Sequence, residues 1–118
     1  MPHLVIEYSA NLPDFDAAAT LAACNGFLAG TGHFSEADIK SRAIRHEHFL
    51  VGTASDGRAF VHATLWLLSG RPENVKQALS RGVLEAIEQN FNKPDGLDVQ
   101  LSVQMQDMER STYAKAFL

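Results

Sequence analysis

Cys24 is the only cysteine in the chain, so no disulfide can close within it. A reducing, cytoplasmic setting fits that poverty of thiols. Basic runs are missing too. With 10 Lys and Arg against 14 Asp and Glu the formal net charge is -4. Binding nucleic acid needs clustered cations, so nucleic acid is not expected as a partner. An anionic membrane surface is disfavoured on the same ground. The apolar run Leu65–Leu68 falls far short of the roughly 20 residues that cross a bilayer. Met1-Pro2-His3-Leu4 lacks the basic and apolar regions of a secretory leader. Gly30-Thr31-Gly32 closes a helix where a phosphate loop would open one. The expectation is a soluble cytoplasmic protein.

What the chain does hold is apolar side chain, 46% of 118 residues, enough to order one domain over residues 1–118. Pro2 to Ser9 reads as a strand, with Leu4, Ile6 and Tyr8 alternating with Val5 and Glu7, so both faces are largely apolar. Asn11 to Asp14 reads as a helix start capped by Asn11, and Gly30-Thr31-Gly32 as its stop. Ser35 to Asp38 is expected to form a single turn. Ile39 to Thr53 reads as a second strand, Ser55-Asp56-Gly57 as a hairpin turn, and Arg58 to Leu68 as the strand returning antiparallel to it. After Pro72, the spacing of Val75, Leu79, Val83, Ile87 and Phe91 predicts a helix with one apolar stripe. Leu97 to Gln106 alternates strictly and predicts a strand with one dry face. The apolar end of the chain predicts a docked tail.

The order is β-α-β-β-α-β, an α+β architecture with two helices on one face of a four-stranded sheet. Ile44, Leu50 and Trp66 would then be left on the open face, and an oligomer is the simplest cover for them.

Three groups of residues could carry chemistry. Pro2, if Met1 is removed, offers a secondary amine at a dry strand end. An α-amine titrates near pH 8, and burial or a nearby cation lowers that further, leaving a free base for general base catalysis. A Met-Pro start is also common without any such role. Lys40 and Arg42 share one strand face and Arg71 follows Gly70 at a strand end, which suits binding of a dicarboxylate; such charges are also commonly just solvated. His46, His48 and His62 could gather around a metal, but no ligand spacing accompanies them, and hydrogen-bonded histidines are the simpler reading. Cys24, mid-helix among apolar residues, reads as core.

Met1-Pro2-His3-Leu4-Val5-Ile6-Glu7, Ile39-Lys40-Ser41-Arg42, Ala59-Phe60-Val61-His62-Ala63-Thr64-Leu65 and Gly70-Arg71, in that order, resemble the tautomerase superfamily. Within it they look most like the 5-carboxymethyl-2-hydroxymuconate isomerases. The likeness runs from residue 1 to about residue 90. It implies a homotrimer, an isomerase of aromatic-compound catabolism, Pro2 as catalytic base and acid, and no metal or organic cofactor. It also implies that Arg71 binds a small carboxylated enol substrate together with a second cation. In the family's Ile-Arg-Ser-Arg segment the first arginine is Lys40 here, which keeps the charge and loses the bidentate fork, while Arg42 matches the second. Other chemistries open to such a fold are phenylpyruvate tautomerisation, decarboxylation and dehalogenation. A non-catalytic oligomeric ligand-binding domain is a further alternative.

Overall fold

The computed structural model describes residues 1–118. Four strands form one mixed sheet: β1 (His3–Ser9), β2 (Lys40–His46), β3 (Arg58–Leu68) and β4 (Asp98–Met108), in the order β2-β1-β3-β4. Helix α1 (Ala17–Gly30) joins β1 to β2, and α2 (Glu73–Gln89) joins β3 to β4. Each joins a parallel pair, β1 to β2 and β3 to β4, while β1 and β3 run antiparallel at the centre. The expected α+β architecture and element order are therefore present.

The expected hairpin is not. β2 and β3 flank β1 on opposite sides and do not pair with each other. β1, whose Leu4 and Ile6 are completely buried, occupies the place between them. The second strand also ends at His46 rather than Thr53, and residues 47–57 form an irregular connection with one short bridge, Val51 to Ala54. Leu50 and His48 lie in that connection, not on the β2 face.

Local chemistry sets the helix ends. Asp16, not Asn11, caps α1: its Oδ1 accepts the Ala19 N–H at 3.0 Å. Asn11 instead donates from Nδ2 to the Arg58 carbonyl at 2.8 Å. Pro72 stands immediately before α2, where its missing N–H costs nothing, and Glu73 favours the positive end of the dipole.

One face of the sheet is dry. Leu4 and Ile6 of β1 and Ala59, Val61, Ala63, Leu65 and Leu67 of β3 are buried beneath both helices. They meet Cys24 and Leu28 of α1 and Leu79, Val83 and Ile87 of α2. The other face carries His3, Lys40, Arg42, Ile44, His62 and Trp66, by alternation along the paired strands. Ile44 and Trp66 are exposed there, and Leu50 is exposed in the loop beyond. The tail is docked through Tyr113 and Lys115, while Phe117 and Leu118 stay exposed. No helix is long and apolar enough to cross a membrane.

Candidate active site

Pro2 is fully buried at the entry to β1, and its carbonyl accepts the Lys40 N–H at 3.1 Å, so the chain start is held against β2. The Met1 amine donates to the Asp38 carbonyl at 3.1 Å. Lys40 Nζ donates to that same oxygen at 2.7 Å. The amine's pKa lies below its ordinary 8.0, first because burial penalises the ammonium, then because the Lys40 charge stands beside it. The Asp38 carboxylate opposes this and Lys115 adds to it. Lys115 pairs with the Asp38 carboxylate, and that hydrogen bond is the main reason the Asp38 pKa is lowered.

Beside this terminus lies a pocket of about 380 Å³, bordered by Met1, Phe34, Arg71, Arg110, Tyr113 and Lys115 among others. Gly70, at a φ of 113°, turns the chain out of β3 and delivers Arg71 to the rim. The Arg71 guanidinium lies over the Phe34 ring, 4.8 Å from its centroid, and Nη2 donates to the His33 carbonyl at 3.4 Å. Its buried Nε has no hydrogen-bond partner.

His3 links β1 to the tail and to β2. Arg42 Nη1 stands 3.3 Å from His3 Nδ1, and a guanidinium can only donate, so Nδ1 accepts. The ring proton then sits on Nε2 and is donated to the Tyr113 hydroxyl at 2.9 Å. Burial first, then Arg42 and Lys40, lower the His3 pKa, which keeps the ring neutral.

Thus Met1 and Arg71 border one cavity, and Pro2 is buried directly behind Met1. Lys40 and Arg42 share a face as expected, yet their charged ends go elsewhere, Lys40 to Asp38 and Arg42 to His3. Lys40 borders a separate, smaller pocket together with Asp38, Lys115 and the end of the tail. Sequence reasoning missed Arg110, Tyr113 and Lys115; the docked-tail reading was the one signal pointing to them. His46 bonds Glu7 at 2.8 Å, His62 bonds Ser102 and Gln104, and His48 is exposed. No three His, Cys, Asp or Glu side chains come together as a metal site. Cys24 is buried, and burial pushes its thiol up to about 11.

The family profile described as 5-carboxymethyl-2-hydroxymuconate isomerase matches residues 2–116. The chain belongs to that family. It is 32% identical over 92 residues to the 5-carboxymethyl-2-hydroxymuconate Delta-isomerase of Escherichia coli, spanning 77% of this chain and 73% of that one. A crystal structure of a 5-carboxymethyl-2-hydroxymuconate isomerase from Deinococcus radiodurans R1 superposes with a TM-score of 0.89 at 27% identity, over 98% of this chain and 88% of that one. A fused 4-OT symmetric trimer has a TM-score of 0.71 at 16% identity, over 97% and 93% of the two chains, and so shares the fold. The protein is thus an isomerase of the tautomerase type that shifts C=C bonds.

Proposed function

We propose that this isomerase ketonises a carboxylated 2-hydroxymuconate-type dienol, with 5-carboxymethyl-2-hydroxymuconate as substrate, in the cytoplasmic breakdown of aromatic compounds. The observation that carries this reading is the amine-bearing start of β1 opening on the pocket that Arg71 borders. Removal of Met1 exposes a secondary amine at Pro2, whose side chain is buried at the entry to β1. Desolvation at the strand entry and the nearby Lys40 charge both favour the neutral amine over the ammonium.

The Pro2 nitrogen takes the proton of the 2-hydroxyl group. The O–H bond breaks, the C2 carbonyl forms, and the π electrons move down the conjugated chain. A new C–H bond forms at a distant carbon, with the proton returned from the Pro2 ammonium or from solvent. The substrate's own conjugation spreads the charge. Arg71 binds a carboxylate and stabilises the negative charge that develops on oxygen. Lys40 or Arg42 supplies a second cationic contact from the β2 side. A homotrimer is part of this proposal, in keeping with the symmetric trimer of the same fold.

The test is the decay of dienol ultraviolet absorbance with protein whose N-terminal mass shows Pro2 first. Wild type accelerates ketonisation. Pro2→Ala retains a primary amine in altered geometry and loses at least about a hundredfold in kcat, the range expected of a displaced general base. Arg71→Ala raises KM and lowers kcat together. Protein retaining Met1 has an amide nitrogen at Pro2, with no basic lone pair, and is inactive. Native rates from both variants would refute the assignment.

A further inference from the structure

Arg110 lies outside every motif that carried the family resemblance, yet it borders the same pocket as Arg71. Its Nε and Nη2 donate to the Ser69 carbonyl at 3.2 and 3.1 Å, and its backbone N–H stands 3.4 Å from Ser69 Oγ. Ser69 is two residues before Arg71, so the two arginines are anchored to one short turn at the end of β3. Those bonds use one edge of the Arg110 fork and leave Nη1 without a protein partner. Charge pairing separates these two from Lys115, the other side-chain cation on this pocket. The ion pairs of the protein are Arg45–Glu47, His46–Glu7, Lys76–Asp107 and Lys115–Asp38. Lys115, on the same rim, is neutralised by Asp38, whereas Arg71 and Arg110 have no carboxylate partner.

Two uncompensated guanidinium groups on one pocket match a ligand with two carboxylates. We propose that Arg110 binds a second, remote carboxylate of the dienol and so sets the preference for polycarboxylate over monocarboxylate substrates. This rests on the dienol reading above and deepens it. Neither Lys40 nor Arg42 borders this pocket, so the contact they supply from the β2 side is a separate one.

The experiment compares 5-carboxymethyl-2-hydroxymuconate, which carries three carboxylates, with 2-hydroxypenta-2,4-dienoate, which carries one. Arg110→Ala is expected to raise KM for the first by about tenfold, the loss of one charge-assisted contact, and to leave KM for the second within about twofold. Arg110→Gln keeps a donor for the Ser69 carbonyl and loses the charge, so it reproduces the effect with the tail still docked. Arg110→Lys recovers part of the loss. An equal change on both substrates, or none on either, overturns the proposal. Wild type inactive on the tricarboxylate overturns the dienol reading, and the role of Arg110 falls with it. Wild type active on both, with unselective variants, overturns the role of Arg110 alone.

Discussion

Burial and a neighbouring ammonium act in the same direction on the amine at the start of β1, and both favour the free base. The consequence for the proposed catalyst has a definite sign. A base works unprotonated, so with the same two causes acting on the Pro2 nitrogen kcat/KM rises with pH and levels off once the amine is free, with its midpoint below the ordinary α-amine value near 8. Lys40→Met removes the positive neighbour and moves that midpoint upward. It does not restore the ordinary value, because burial is the larger cause and remains. A pH–rate profile on both proteins checks this, and an unmoved midpoint would separate Lys40 from the amine. At this scale the sequence was legible where spacing carries information. Pro2 sits at the head of an alternating strand, and Arg71 follows a glycine at a strand end. Arg110, Tyr113 and Lys115 were illegible because residues 109–118 follow no period, and their partners Ser69, His3 and Asp38 are far away in the chain.

Among the elements, periodicity identified α2, β3 and β4 because each buries one face against the same core. The pairing of β2 was misread for a physical reason. Ser55-Asp56-Gly57 is a genuine turn, with Gly57 at a φ of 77°, but a turn reports only that the chain reverses locally. Which strands then pair is decided by burial. β1, with Leu4 and Ile6 completely buried, lies between β2 and β3. Helix contact is equally invisible in a single periodic stripe. Gly82 of α2 faces Phe27 of α1 so closely that a Cβ built there would lie 1.9 Å from the ring. Gly82→Ala gains roughly 1 kcal/mol of helix propensity but must displace that ring, a net destabilisation of about 1–2 kcal/mol. In a Phe27→Ala background the obstruction is gone, and the same substitution becomes stabilising by about 1 kcal/mol. Urea unfolding of the four proteins reads this reversal of sign. A destabilisation that persists without Phe27 would mean the ring is not what Gly82 accommodates.

For the whole molecule, the decisive asymmetry is that both helices cover one face of the sheet. The other face presents Ile44 at 45% and Trp66 at 37% exposure, alongside His3, Lys40 and Arg42. Apolar residues on an open sheet face call for a cover, and in the proposed trimer a second and third copy of the chain would supply one. Trp66 lies opposite His3 across the β1–β3 pair, so whatever covers Trp66 also closes over the side of the terminus that bears Lys40 and Arg42. Assembly and activity should therefore fail together. Sedimentation of the wild type is expected to give three times the 12.9 kDa of one chain. Trp66→Glu places a charge on that face, shifts the mass toward the single chain, and lowers dienol turnover at least about tenfold while circular dichroism stays folded. The charge must be desolvated to assemble, a cost of several kcal/mol that outweighs the loss of any one contact. A folded single-chain wild type with full turnover would show instead that the open face needs no cover and that one chain holds a complete site.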